Sequence, residues 1–241
     1  GKASGIILDN GKIVFSRYVV SACDARQTFF ELIEPVTVAS SIKKRYKMET
    51  SLSAFLVYLG IKKDLQKIKE LRSVIWIINN YNRKEIYTHL LNSEYDCLFI
   101  TSTSIRSGLL EKDKISVFLK ASAIYKDGEY WNEMVRDKVA SKLIRMVEKI
   151  IPGLSKNISL QITASPVSLY KWTKNYHGAI CGWASTPQQF GNPEMSQKTK
   201  IENLYITGHW SNQGGGISSV ANCGRGTANL ILRKERLRPK N

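Results

Sequence analysis

Three consecutive glycines, Gly214-Gly215-Gly216, follow a short apolar run and precede a segment of helical composition. The run Asn203–Thr207 reads as a strand, Gly208–Gly216 as a glycine-rich loop, and Ser218–Leu232 as a helix. This order constrains the fold, because glycine lets the backbone approach a flat ring or a phosphate with no Cβ intervening. A helix start adds free N–H groups and a partial positive charge that suit an anionic ligand. The small residues Ser218, Ser219, Ala221, Gly224 and Gly226 predict close packing of the helix. The segment is neither a GxGxxG fingerprint nor a phosphate-binding P-loop. On pattern alone, a cofactor loop and a glycine-rich connection that binds nothing are both open.

The rest of the chain reads as an alternation of short strands and few helices. Ala3–Leu8 and Lys12–Phe15 form a predicted hairpin around Asp9-Asn10-Gly11, where Asn-Gly suits a type I′ turn. Tyr18–Ser21 is a predicted buried strand. Asp24, with Gln27 three residues on, is the signature of a capping box that opens a helix to about Ile33, ended by Pro35. Leu52–Leu59, Val74–Ile78, Cys97–Thr101, Ile115–Ile124 and Ile158–Ile162 are further strands. Tyr130–Ile151 is the clearest helix, since Val135, Val139, Leu143, Val147 and Ile150 recur at three to four residues; Pro152-Gly153 stops it. That stripe is core rather than a cofactor contact. Gly178–Trp183 is a glycine-flanked strand or loop, and Gln188–Lys200 is polar and irregular.

Composition bounds the class. Of the 241 residues, 43% are hydrophobic, enough for a folded core, and no apolar run nears the roughly 20 residues that span a bilayer. The chain opens GKASGIILDNG with no apolar leader, and a fragment or a processed chain is expected. The formal net charge of +16 favours anionic partners. Between Lys43 and Arg72 nine basic residues face three acidic ones, and Arg233–Lys240 is a basic tail. A solubilising surface and a surface for anionic headgroups both fit this charge. No nucleic-acid motif accompanies it, so no nucleic-acid partner is expected. Cys23, Cys97, Cys181 and Cys223 form no CxxC and are expected as buried thiols, with neither a disulfide framework nor a metal site.

The glycine segment resembles the C-terminal flavin motif of the phytoene desaturase, carotenoid isomerase and retinol saturase family. Leu204-Tyr-Ile-Thr-Gly-His-Trp210 and Gly214-Gly-Gly-Ile217 carry the likeness. Four further segments resemble the family in its order: Tyr18-Val-Val-Ser-Ala-Cys-Asp-Ala-Arg-Gln-Thr28, Ser53-Ala-Phe-Leu-Val-Tyr-Leu-Gly60, Ile151-Pro-Gly-Leu154 and Gly178-Ala-Ile-Cys-Gly-Trp183. Two positions depart from the pattern: Cys23 stands where the family usually has Asn, and Asn222-Cys223-Gly224 replaces a Ser-Gly step.

The resemblance implies an α+β chain. The C-terminal half of an FAD-binding domain, of α/β type, would comprise 1–35 and 167–241. A mixed sheet-and-helix substrate domain would be inserted at 36–166. The family's N-terminal βαβ unit would precede Gly1 and is expected to be missing, with a separate N-terminal half as an implied partner; this chain alone is then expected to be incomplete and inactive. FAD is the implied cofactor, with Gly208, His209, Gly214, Gly215, Gly216 and Ile217 as cofactor-binding residues and the backbone of Gly208, Gly215 and Gly216 against the ring. Trp183 is the implied substrate contact. The implied activity is oxidoreduction or isomerisation at C–C bonds of a polyene lipid, by an enzyme of the cytoplasm seated peripherally on the membrane surface. No catalytic residue is assigned; His209 titrates in the right range but fits a positioning role equally. A lipid- or membrane-binding remnant without flavin, and a flavin amine-oxidase relative with a soluble substrate, remain open.

Overall fold

The structure, a computed structural model, describes residues 1–33, 47–62, 74–102, 115–211 and 214–237. Seven of the nine basic residues between Lys43 and Arg72, and Pro35, lie outside the described residues. The chain divides into two compact units, one of residues 1–51 with 174–241 and one of residues 52–173. The described residues mix helices with parallel and antiparallel strands, in keeping with an α+β chain.

The unit of residues 52–173 is built on an antiparallel sheet. Its strands are β4 (Ser53–Ile61), β5 (Ile75–Ile78), β6 (Cys97–Thr101), β7 (Ile115–Ala123) and β8 (Ile158–Ala164), in the spatial order β5-β6-β7-β4-β8. Period-two alternation decides the faces. Phe55, Val57, Leu59 and Ile61 of β4 are buried, whereas Tyr58 between them is 46% exposed. The buried face packs against α3 (Glu133–Glu148), whose Val139, Ala140, Leu143, Ile144 and Val147 are in the same core. The Asn132 side chain accepts from Val135 N–H at 3.0 Å and caps that helix. At its other end the Glu148 carboxylate accepts from Gly153 N–H, Ser155 N–H and Ser155 Oγ, which closes the Pro152-Gly153 turn.

Two helices of this unit have no counterpart in the sequence reading: α2 (Arg83–Leu91) and α4 (Pro166–Thr173). The side chain of Asn82 caps α2, but only Leu90 in it is buried, so no apolar stripe announces it. In α4 the proline sits at the helix start, where it costs nothing because that N–H would be unpaired anyway. The compact unit runs past Pro166 to Thr173.

The other unit carries β1 (Gly5–Ile7) paired to β2 (Ile13–Phe15), and β3 (Val19–Ser21) paired to β9 (Leu204–Ile206), with α1 (Ala25–Phe30) and α5 (Ile217–Arg236). The hairpin turn differs from the type I′ expectation. Gly11 has φ +77°, while Asn10 is not among the residues with positive φ, and Gly11 N–H donates to Leu8 C=O at 2.8 Å. A three-residue loop ending in a left-handed glycine closes it instead. The strand β3 is also less buried than its apolar run suggests, with Val20 46% exposed. Of the four cysteines only Cys223 is buried; Cys23 is exposed and the other two are intermediate. Phe29, Trp183, Leu204, Ile206, Trp210 and Cys223 are among the buried residues of this unit.

Candidate functional site

The strands β3 and β9 run parallel, with Val19 opposite Leu204 and Ser21 opposite Ile206. Thr207 N–H extends the ladder by donating to Ser21 C=O at 2.9 Å. Both carboxyl ends therefore open at one place, the usual position of ligands in sheets with parallel strands. From β3 the chain passes to Asp24 and α1; from β9 it passes to the glycine-rich loop and α5.

Asp24 is 1% exposed. One carboxylate oxygen accepts from Arg26 N–H at 2.6 Å and Gln27 N–H at 3.3 Å, which caps α1 as the sequence indicated. The other accepts from Tyr176 N–H at 2.6 Å and so ties residue 24 to a distant loop. Burial pushes the Asp24 carboxyl above the usual carboxylate value, and the three N–H groups and Arg26 oppose that rise. The Arg26 guanidinium lies 4.0 Å over the Tyr176 ring and donates to Met48 C=O at 2.7 Å. His177 stacks on Tyr176 with centroids 3.8 Å apart, and burial, aided by the Arg26 charge, lowers its pKa.

The loop of residues 174–183 reaches the glycine segment. Gly182 has φ +70°, and a Cβ there would stand 2.1 Å from the carbonyl oxygen of His209. Asn175 and Trp183 complete the contact: Trp210 Nε1–H donates to Asn175 Oδ1 at 3.0 Å, and Trp183 Nε1–H donates to Trp210 C=O at 3.1 Å. The two indoles meet edge to face at 5.0 Å. Trp183 is 1% exposed, so the indole expected to line a substrate channel is a core side chain.

The expected cofactor residues differ in their surroundings. Gly208 (φ +77°) and Gly216 (φ +104°) need glycine for their backbone, and none of the described residues stands within 4 Å of where a Cβ would be. Gly214 (φ +67°) is buried beside Ser185. Gly215 differs, because its absent Cβ would lie 2.5 Å from Cys181 Cβ and Sγ. Its glycine character is thus already required by this chain's own cysteine. Ile217 begins α5 and is 90% exposed. The imidazole of His209 is half-buried, and burial lowers its pKa while the Asp24 charge opposes that shift.

Three observations suit a bound nucleotide-like group. Among the described residues none closes the space beside Gly208 and Gly216. Gly216 caps α5 with no side-chain hydrogen bond, which leaves the first-turn N–H groups available. Thr207 Oγ1 is buried without a hydrogen-bond partner among the described residues. The sequence reading missed Asn175, Gly182 and Thr207; only the Gly178–Trp183 likeness hinted at that loop. On α5, Cys223 and Thr227 are buried, whereas the small residues Ser218, Ala221 and Gly224 are exposed. Of the two glycines within α5, Gly226 has a close neighbour, Gln197, 2.9 Å from its absent Cβ, whereas Gly224 has none within 4 Å among the described residues.

These geometries separate two glycines. Gly208→Ala should cost about 1–2 kcal/mol, the price of a left-handed backbone with a Cβ. Gly182→Ala adds overpacking against His209 and should cost roughly 2–5 kcal/mol in total. Urea denaturation of the two variants tests this, and equal losses would show that the Gly182–His209 approach carries no strain.

No family model matches the chain. Over 244 residues it is 24% identical to 4,4'-diaponeurosporene oxygenase of Staphylococcus aureus, covering 97% of this chain and 48% of that protein. It is 24% identical to the chloroplastic prolycopene isomerase of Daucus carota, covering 92% of this chain and 36% of the other. It is 21% identical to the zeta-carotene-forming phytoene desaturase of Myxococcus xanthus, over 91% of this chain and 43% of that enzyme. Among solved structures, an oxidoreductase from Methanosarcina mazei superposes with a TM-score of 0.56 at 16% identity, covering 95% of this chain and 46% of that one. That likeness is one of fold. The chain spans about half the length, or less, of the curated relatives it matches. Its homologues are carotenoid oxygenases, isomerases and desaturases, the group that its glycine segment resembles.

Proposed function

We propose that this chain is the C-terminal portion of an FAD-dependent oxidoreductase or isomerase acting on C–C bonds of a polyene lipid. The parallel strands β3 and β9 carry the reading, because they bring a cap-bound carboxylate, a half-buried imidazole and an open glycine-rich helix start to one edge. Gly208, Gly216, Ile217 and the first-turn N–H groups of α5 would hold the cofactor by backbone contacts. Thr207 Oγ1 would donate to it or accept from it. Bound flavin supplies the acceptor and donor of the electron pair, and the chain's own residues orient and desolvate it. Similarity over nearly the whole chain to carotenoid enzymes supports the substrate class.

The sheet of residues 52–173 supports an apolar ligand independently. Its outer face carries Trp76, Phe99, Phe118 and Tyr58 on four neighbouring strands. Their successive ring centroids are 5.3, 6.2 and 4.9 Å apart. Ile162 of β8 pairs with Tyr58, and both are about half exposed. At strand spacing of about 4.8 Å the row extends roughly 14 Å, which suits an extended chain better than a small amine.

Pigment analysis tests the substrate class. The full-length protein carrying this sequence, produced in bacteria that accumulate an acyclic carotene, should change the number or geometry of its conjugated double bonds and shift the extracted absorption bands. Unchanged pigments beside oxidation of an added primary amine would overturn the reading.

The net charge of +16 and the poor water solubility of polyenes favour a peripheral seat on anionic membrane. No helix among the described residues is long and apolar enough to cross a membrane. Sedimentation with anionic vesicles should pull the protein down at low salt and release part of it at high salt, since charges are screened beyond about 8 Å at physiological ionic strength. Equal, negligible binding to anionic and neutral vesicles at low salt would leave the charge as a solubilising surface.

A further inference from the structure

Three of the groups that meet the Asn175 side chain bear on His209, and the first two settle the orientation of the amide. Trp210 Nε1–H can only donate, and it lies 3.0 Å from Asn175 Oδ1. The Ala179 carbonyl can only accept, and it lies 3.1 Å from Asn175 Nδ2. Oxygen and nitrogen of the amide are therefore assigned by two independent neighbours rather than by choice. The third group is His209 Nε2, 3.4 Å from the same Nδ2. An amide nitrogen has hydrogens and no lone pair to offer, so Nε2 meets it with its own lone pair. A hydrogen on Nε2 would face the amide hydrogens.

We propose that Asn175 is a positioning residue that holds His209 as the neutral imidazole with its hydrogen on Nδ1, so that the glycine-rich loop offers an N–H donor to an acceptor oxygen or nitrogen of the bound cofactor. Nδ1 makes no hydrogen bond among the described residues, so it is available for that contact. The same arrangement occupies the Nε2 lone pair, so the imidazole donates from Nδ1 and is not a proton-abstracting base at Nε2. The charged groups of this network are Asp24, whose carboxylate favours the imidazolium, and Arg26, over Tyr176. Burial outweighs the Asp24 effect and keeps the ring below the ordinary imidazole value of 6.5. Trp210 is the second member of the device: its indole fixes the amide, and the amide fixes the ring.

The role toward a cofactor rests on the flavin reading above, but the tautomer does not, and it is read without cofactor or substrate. Long-range proton–nitrogen correlation spectra of imidazole-labelled protein distinguish Nδ1–H from Nε2–H rings. The chain has three histidines, and His209→Gln assigns the signal. The unaltered protein at neutral pH should show His209 with its hydrogen on Nδ1. A hydrogen on Nε2 would overturn the proposal whatever any variant does. Asn175→Asp places a carboxylate oxygen against Nε2, so His209 should move its hydrogen to Nε2 and titrate at higher pH than in the unaltered protein. A folded Asn175→Asp protein that keeps Nδ1–H and its original titration midpoint would show that Asn175 does not position the ring. Loss of flavin binding with the tautomer intact would instead fault the cofactor reading.

Discussion

One buried carboxylate links the parts of the candidate site. Asp24 caps α1 through the N–H groups of Arg26 and Gln27, and with its other oxygen it holds Tyr176 N–H. That second bond, with Arg26 over the Tyr176 ring, anchors the loop of residues 174–183 beside α1. Through Asn175, Gly182 and Trp183 the same loop sets the position of His209 and Trp210. A buried, partly desolvated carboxylate costs free energy unless its oxygens are occupied, and here both are. The cost is offset by fixing three chain segments, distant in sequence, at the carboxyl ends of β3 and β9.

Glycine serves two different purposes along this edge. At Gly208 and Gly216 the backbone is left-handed and no described residue fills the adjoining space, the condition for close approach by another group. At Gly182 and Gly215 the space is filled by His209 and Cys181, so glycine there is a packing requirement of the protein itself. A glycine count in the loop cannot tell these apart, and the spatial neighbours can. The cofactor assignment accordingly rests on Gly208, Gly216 and the uncapped start of α5, and less on Gly215.

Local signals were legible in the sequence and long-range ones were not. The Asp24 cap, the Tyr130–Ile151 stripe and the strand–glycine–helix order each depend on residues within a few positions, and the structure has them at nearly those bounds. The parallel pairing of Val19 with Leu204 joins residues far apart in sequence, and a three-residue strand has too few side chains to declare its partner. Asn175 and Gly182 acquire meaning only once that pairing brings their loop to His209. Short α2 escaped notice because it buries a single residue, and α4 because its proline reads as a break. Trp183 drew attention as a possible ligand contact, yet a large indole with one N–H is also what a core accepts when a carbonyl stands near.

The central claim is that the backbone of the glycine-rich loop and the first turn of α5 hold the flavin. Amide hydrogen exchange of the full-length protein carrying this sequence, followed with and without FAD, addresses it most directly. The account predicts slowed exchange across residues 208–219 when FAD is present. FAD binding that slows exchange elsewhere and leaves these residues unchanged would contradict it.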